Sequence, residues 1–341
     1  MVQGGFADRS AIHIEVRREG ELAGSRIAST APCEEDALFE SILSGRVPND
    51  GTLPSFAVAP TWSREPNPPK ASEEPSAPQT PVPGHTPELT GVELRIGNAP
   101  MRRYGKQVFA AQARGLIDSL VTQGKIEDGT LVEWSLVEGP DDVPESHFCV
   151  RISREPLPLS PARLPRLASG EVAAELDRAL LDRLRREFCQ TPGVERAWLL
   201  VGSVDHDRDR GAAAIRALTA VDVEMGRGGA SRTHFAFEPG PFVAARERAL
   251  REFDGLVPVG WAHSHPPCEA CPANPTCPSD TRFFSADDVE VHTSAFASPY
   301  MIALVVGKVA TAPATEPGFS LFGWRDALVT KIDYRVVGPG H

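Results

Sequence analysis

In the C-terminal half of the chain, segments whose apolar residues recur with the period of a helix alternate with segments that are typical of strands. Leucines at every fourth position within 172–188 predict an amphipathic helix, and similar spacing predicts helices at 240–253 and after Ser285. Runs of β-branched and apolar residues between polar turns predict strands. These strands are 197–201, 215–223, 234–237, 257–263, 301–306 and a last pair around Leu321 and Ile332. Helices that interleave with strands indicate an α/β or α+β domain around one mixed sheet.

The N-terminal half shows the same two periods over shorter segments. Apolar and polar residues alternate from Ala11 to Val16, and a short helical pattern through Phe39 and Leu43 follows. These residues predict a very small module. Further along, strands are predicted at 92–96, 131–136 and 147–152, and a helix at 106–121. Together they predict a compact α/β module, whose sequence contains no catalytic motif.

Proline-rich stretches divide the chain into segments. Ten prolines lie between Pro54 and Pro87, mixed with Ser, Glu, Thr and Ala, and a second cluster lies at 156–165. Such segments bury too little apolar surface to offset the entropy lost on ordering, which is typical of linkers. The predicted organisation is a small N-terminal module at 1–50, a Pro-rich linker at 51–90, a small α/β module at 91–155, a second linker at 156–170 and a larger domain at 171–341.

Composition and charge exclude several classes of function. The chain has 341 residues, with 46 acidic and 35 basic side chains and a formal net charge of −11. A nucleic-acid-binding surface needs concentrated basic charge, which this balance argues against. The N-terminus lacks the basic start and apolar run of a secretory signal, and no apolar run approaches the ~18 residues of a membrane span. We therefore expect a cytoplasmic protein that binds neither nucleic acid nor membranes.

The six cysteines fall into two groups. Three are scattered, whereas Cys268, Cys271 and Cys277 lie within ten residues in a Cys-x2-Cys-x5-Cys arrangement. In a reducing compartment such thiols favour a metal over disulfides, so the cluster predicts a structural zinc, which would be the second zinc of the chain beside the site described next. Its fourth ligand stays open between His292 and Cys189. The alternative is a proline-rich loop whose cysteines stay reduced and bind no metal.

The segment Val-Gly-Trp-Ala-His-Ser-His-Pro-Pro ends a predicted strand at His263 and His265. Residues i and i+2 of a strand project to the same face, so both imidazoles can bind one metal ion. A hydrogen-bonded surface pair is the alternative. Ser285-x-x-Asp288 opens the following helix, where it can cap the helix or supply a carboxylate as third ligand. Three protein ligands leave a fourth position for water, as in catalytic zinc sites.

At these residues the chain resembles the JAMM metalloproteases, also called the MPN+ or JAB domain family. The family pattern is a Glu on an early strand, then His-x-His-Pro, then Ser-x-x-Asp. In this chain the Glu-led strand corresponds to 194–202, which contains Glu195 and ends in Leu-x-Gly. The resemblance covers about half the chain, from residue 171 onward. It implies a JAB/MPN-like mixed sheet flanked by helices.

The resemblance also implies a role for each residue of the motif. His263, His265 and Asp288 would bind a catalytic Zn²⁺. Glu195 would take a proton from the attacking water and pass it to the leaving amine, and Ser285 would stabilise the oxyanion.

Two rival residues and one departure from the family pattern accompany this assignment. Asp287 is a rival ligand by proximity, although it breaks the Ser-x-x-Asp spacing, and Glu224 is the rival of Glu195. In the common pattern fewer than ten residues separate the two halves of the motif. Here nineteen residues, 266–284, intervene and contain the three clustered cysteines. Substrate contacts therefore cannot be transferred in detail from the family.

The family implies hydrolysis of an isopeptide or peptide bond after the C-terminal tail of a ubiquitin-like protein. Thirty Arg against five Lys favour a prokaryotic source. We therefore expect deconjugation or precursor processing in a prokaryotic ubiquitin-like pathway, with activating and conjugating enzymes as partners. The alternatives are a non-catalytic MPN scaffold and a metallopeptidase that acts on small peptides or sulfur-carrier adducts.

Overall fold

A computed structural model describes residues 10–51, 56–63, 88–96, 99–140, 156–190, 195–224, 239–266, 280–309 and 316–338. The chain divides into two compact units, one from residues 1–34 and 54–151 and the other from 35–53 and 152–341. In the described ranges the fold is mixed α/β, with five α-helices, an antiparallel sheet in the first unit and a nine-stranded mixed sheet in the second. None of the helices in those ranges combines the length and apolar character needed to cross a bilayer.

The first unit is built on a six-stranded antiparallel sheet. Its strands are β1 (Ser10–Arg18), β2 (Glu21–Ile27), β3 (Phe56–Trp62), β4 (Leu89–Ile96), β5 (Ala99–Gly105) and β6 (Glu133–Pro140). The order is β2-β1-β6-β4-β3, and β5 pairs with β4. Ile12, Ile14 and Val16 of β1 are buried, as their alternation predicts. The predicted helix at 106–121 is a 3-10 turn, Lys106–Phe109, followed by α2 (Ala110–Thr122). The strand predicted at 147–152 lies outside the described residues.

The second unit is built on a mixed sheet that curls. Its strands are β7 (Leu159–Pro161), β8 (Val172–Asp177), β9 (Ala197–Asp207), β10 (Ala212–Asp222), β11 (Val257–His265), β12 (Ile302–Gly307), β13 (Gly318–Arg325), β14 (Leu328–Ile332) and β15 (Tyr334–Val337). The order is β14-β13-β12-β11-β9-β10-β8-β15, and β7 pairs with β9. Because β14 and β15 lie at opposite ends of this order yet only one residue separates them, the sheet must bend towards itself. The predicted mixed sheet is confirmed, although 234–237 lies outside the described residues.

Four helices accompany this sheet, and one of them corrects the sequence interpretation. They are α1 (Ala31–Leu43), which begins in the first unit, α3 (Arg178–Gln190), α4 (Pro239–Glu252) and α5 (Ala286–Ala295). The helix predicted at 172–188 begins only at Arg178, since 172–177 forms β8 and pairs in parallel with β10. The Asp177 carboxylate accepts hydrogen bonds from the Ala179 and Leu180 amides and so fixes the start of α3. Leu176, which completes the fourfold leucine spacing, is therefore a buried strand residue.

The two faces of the curled sheet pack against different helices. Trp198 and Leu200 of β9 join the core formed with α3, whereas Leu199 and Val201 join the core formed with α4 and α5. In β11 the pairing register shifts next to Gly260, whose φ is +153°. A Cβ at this position would lie 1.9 Å from the Ile302 carbonyl oxygen, so only glycine fits. Beyond this bulge the odd-numbered residues of β11 face α4 and α5.

Candidate metal centre

The end of β11 brings the two histidines of the motif together. This strand lies between β9, with which it pairs antiparallel, and β12, with which it pairs parallel. His263 and His265 are buried on the same face, and their Nε2 atoms lie 2.9 Å apart. The alternating directions of side chains along a strand explain this geometry, as the sequence predicts. Ser264, between them, faces the opposite side of the sheet.

Asp288 approaches the two imidazoles from the first turn of α5. Its Oδ1 lies 3.1 Å from His263 Nε2, and its Oδ2 lies 3.5 Å from His265 Nε2. Ser285 is the N-cap of α5: its Oγ accepts from the Asp288 amide, at 3.1 Å, and its own amide donates to Asp288 Oδ2, at 2.7 Å. This capping box orients the Asp288 carboxylate towards the histidines. Asp288 can therefore complete the capping box and face the histidines as a metal ligand at the same time.

The three ligand groups approach one another at distances close to those of a tetrahedral metal site. Zinc–nitrogen bonds of about 2.0–2.1 Å at tetrahedral angles place ligand atoms about 3.3 Å apart. Here the two Nε2 atoms lie 2.9 Å apart, and the nearest Asp288 oxygen lies 3.1 Å from His263 (Oδ1) and 3.5 Å from His265 (Oδ2). His263, His265 and Asp288 have exposed fractions of 0%, 8% and 5%. This buried group could hold a metal ion.

Thr281 fixes the ring of His265 in the orientation that a ligand needs. The Thr281 carbonyl lies 2.9 Å from His265 Nδ1 and can only accept, so Nδ1 carries the proton and Nε2 presents its lone pair to the cluster. Thr281 is itself bound to Lys308 twice, through its amide and through its Oγ, which accepts from the Lys308 amide at 2.8 Å. The sequence gives no signal for Thr281, because its role depends on how the last residues of the 266–284 insertion approach β11.

Aromatic rings surround the imidazoles. Trp261 stacks on His263 with ring centroids 4.5 Å apart, and Phe284 contacts both of these rings. Phe283 lies against His265 at 4.9 Å and is 56% exposed. Aromatic rings therefore line the cluster, and the exposed ring of Phe283 lies next to His265.

Burial and charge set the protonation states of the three groups. Burial lowers the pKa of His263 and outweighs the attraction of Asp288. Burial also opposes ionisation of Asp288, but the two histidines and the Ser285 amide outweigh it and hold the pKa of that carboxyl well below its usual range. At His265, Asp288 and Glu195 outweigh burial and raise the pKa. An ionised Asp288 and a neutral His263 are the forms that bind metal, while a proton on His265 competes with it.

Glu195 lies on the same face as the ligands. In the β9–β11 ladder Ala197 is opposite His263, and the Ser264 amide continues the pairing by donating to the Arg196 carbonyl. One further step along the antiparallel register puts Glu195 opposite His265. Glu195 is 9% exposed, and its charge acts on His265. Its rival Glu224 has a side chain that is 85% exposed and pairs with Arg248.

The remaining candidate residues lie elsewhere. Asp287 is exposed, unlike its neighbour in the cluster. His292 is buried, and its Nδ1 accepts a hydrogen bond from Trp261 Nε1 at 3.1 Å. Cys189 is exposed on α3. The residues Cys268, Cys271 and Cys277 lie outside the described ranges, so the second zinc stays a prediction.

Comparisons with known proteins add little to this geometry. No family model and no curated protein matches the chain. Among solved structures, a protein from Desulfitobacterium hafniense is similar at 21% identity over 49% of this chain and 94% of that chain, with a TM-score of 0.32. A protein from Salinibacter ruber is similar at 22% identity over 49% of this chain and 93% of that chain, with a TM-score of 0.28. Similarities of this size assign no function to the chain.

Proposed function

We propose that the chain is a zinc-dependent isopeptidase or peptidase of the JAMM type, which cleaves after the C-terminal tail of a ubiquitin-like protein. The observation that carries the proposal is the convergence of His263, His265 and Asp288, with Glu195 on the same face of the sheet. Two imidazoles and one carboxylate are a ligand set that suits zinc. Three protein ligands also leave room for water, whereas structural zinc sites use four.

The residues around the cluster divide the chemistry between them. A zinc ion bound there supplies a Lewis acid and lowers the pKa of water at the site. Glu195 accepts a proton from the attacking water and delivers it to the leaving amine. The Ser285 hydroxyl donates a hydrogen bond to the oxygen of the scissile carbonyl as negative charge develops on it. Thr281 and the capping box hold the ligand side chains in place throughout.

The surroundings of the cluster favour an extended substrate with small side chains. The three ligand residues are almost completely buried, and Trp261 and Phe284 close the protein side. The exposed ring of Phe283 lies next to His265, and we expect substrate to approach from this side. A folded surface cannot reach such a group, whereas a flexible C-terminal tail of small residues can. This suits a ubiquitin-like modifier, and activating and conjugating enzymes of the same pathway are the expected partners.

A non-catalytic scaffold accounts less well for the same residues. A scaffold could place apolar side chains here, since replacing buried paired charges by apolar groups is often neutral or stabilising. A scaffold gains nothing from an additional half-buried serine and a buried glutamate at the same place. A peptidase for small peptides or sulfur-carrier adducts uses the same site, and substrate choice separates it from the leading proposal.

Cleavage of ubiquitin-like fusion proteins, with and without a chelator, tests the proposal. We expect chelation to abolish product formation and zinc to restore it. Glu195→Gln should lower kcat by roughly 10²–10⁴-fold while the metal content stays unchanged, because only the proton transfer is lost. Glu224→Gln is the matched control at an exposed position and should cleave normally. Cleavage that survives chelation, or a fully active Glu195→Gln variant, would contradict the proposed mechanism.

A further inference from the structure

Ser264 lies between the two histidines in the sequence, but its side chain lies on the opposite face of the sheet. It is 2% exposed. Its Oγ accepts a hydrogen bond from the Arg196 amide at 2.9 Å, and its own amide donates to the Arg196 carbonyl at 2.9 Å. Ser264 is thus joined to Arg196 by one backbone bond and one side-chain bond. Arg196 directly precedes β9 and directly follows Glu195.

The side-chain bond changes the geometry of the ladder at this point. In a regular antiparallel pair the Arg196 amide would donate to the Ser264 carbonyl. Here it donates to the hydroxyl, so a serine side chain sets the distance between the two backbones. Both bonds connect β11 to the residue that directly follows Glu195. The position of the Glu195 carboxylate relative to His265 therefore depends on them.

Arg196 is held on the same reverse face by its guanidinium. This group pairs with Asp222 at 3.1 Å and with Glu187 at 3.3 Å, and it lies over the ring of Trp198. These contacts hold the guanidinium of Arg196. The two bonds to Ser264 hold the backbone of Arg196, which sets the direction of the preceding residue, Glu195.

We propose that Ser264 is a positioning residue that holds Glu195 opposite His265. The inference deepens the proposed function and rests on it for its catalytic consequence. Ser264 touches neither the substrate nor the reacting atoms. It acts through the backbone of Arg196, and its hydroxyl is the group that matters.

The test compares Ser264→Ala with Ser264→Thr, which keeps the hydroxyl and suits a strand. Ser203→Ala is the matched control, since this serine of the neighbouring strand β9 bonds to Asp205. We expect Ser264→Ala to lower kcat by about 10- to 100-fold, the effect of a misplaced catalytic group, with KM and metal content unchanged. Ser264→Thr should restore most of the rate. Hydrogen exchange of the Arg196 amide should become faster in Ser264→Ala and stay slow in Ser203→Ala.

The outcomes separate this inference from the proposed function. If the wild-type protein shows no metal-dependent cleavage, the proposed function fails, and hydrogen exchange still tests whether Ser264 holds Arg196. Unchanged exchange in Ser264→Ala would overturn the inference whatever the activity. A normal kcat in Ser264→Ala would also overturn it, as would a loss of rate accompanied by a loss of metal.

Discussion

His292 lies one ring away from the candidate metal centre. It is fully buried, and its Nδ1 accepts a hydrogen bond from Trp261, whose indole stacks on His263. Its ring also stacks on Phe296 and Trp324. Burial lowers the pKa of His292 to about 3, because no described charge compensates for lost hydration. His292 therefore stays neutral at physiological pH and orients Trp261 against a metal ligand.

This pKa predicts how stability depends on pH. The ordinary value is 6.5, so below that pH the unfolded chain takes up a proton that the folded chain refuses until about pH 3. The folded state is therefore not penalised by His292 above pH 6.5. As the pH falls below 6.5, protonation of the unfolded chain lowers the free energy of unfolding. His292→Asn keeps an acceptor near the Nδ1 position and does not titrate. Between pH 6.5 and 4.5 the metal-free wild type should lose ~2–3 kcal/mol more unfolding free energy than this variant. Urea denaturation at each pH measures the difference. If the unfolding free energies of the wild type and His292→Asn changed equally with pH, the pKa of His292 would not be lowered by folding.

The first turn of α5 gives one short element two functions. Ser285 caps the helix and Asp288 completes the capping box, while the same carboxylate faces the two imidazoles. The cap therefore fixes the direction of a ligand as well as the start of a helix. Helical spacing encodes this arrangement locally, which is why Ser-x-x-Asp can be found in the sequence alone.

Removing the cap should affect stability and metal binding together. Ser285→Ala deprives the Asp288 amide of its acceptor, and we expect it to cost ~1 kcal/mol of unfolding free energy. Metal affinity should fall by about tenfold or more, since the carboxylate loses orientation. Ser285→Thr should retain both properties. Ser294→Ala, at an exposed position of the same helix, is the control. Urea denaturation measures the change in stability, and chelator competition measures the change in metal affinity. A destabilised Ser285→Ala variant with wild-type metal affinity would show that the cap does not orient Asp288 as a ligand.

The elements that local spacing encodes could be predicted, and those that depend on pairing could not. Same-face histidines follow from the period of a strand, whatever that strand pairs with. In contrast, the leucine spacing at 172–188 fits a helix, but pairing with β10 makes 172–177 a strand. Thr281 escapes prediction for the same reason, as does the partner of Ser264, although the strand period does place the Ser264 side chain on the face opposite the histidines. Their roles exist only because Thr281 returns to His265 and Arg196 lies opposite β11.

At the scale of the whole molecule, non-local pairing also decides which segments belong together. From the sequence, 1–50 and 91–155 are expected as separate modules, because a proline-rich stretch lies between them. In the structure β1 pairs with β6 over eight residue pairs, so both segments contribute strands to one sheet. Residues 35–53 belong to the second unit, where Phe39 and Leu43 pack against Ala213. Proline content reports where the chain is hard to order, but it carries no information about which strands meet.

Metal binding should stabilise the whole second unit, because the cluster joins β11 to α5 and exists only in the folded state. An ion that binds only the folded chain adds ~2.7 kcal/mol at a hundred times its Kd, which raises the Tm by roughly 5–10 °C for a unit of this size. Asp288→Asn should abolish most of this shift, since it removes the charged ligand, whereas Asp287→Asn, at the exposed neighbouring position, should retain it. Thermal unfolding with zinc and with excess chelator measures both. Because both variants keep the clustered cysteines, a full shift in Asp288→Asn would mean that the stabilising ion binds outside the cluster of His263, His265 and Asp288.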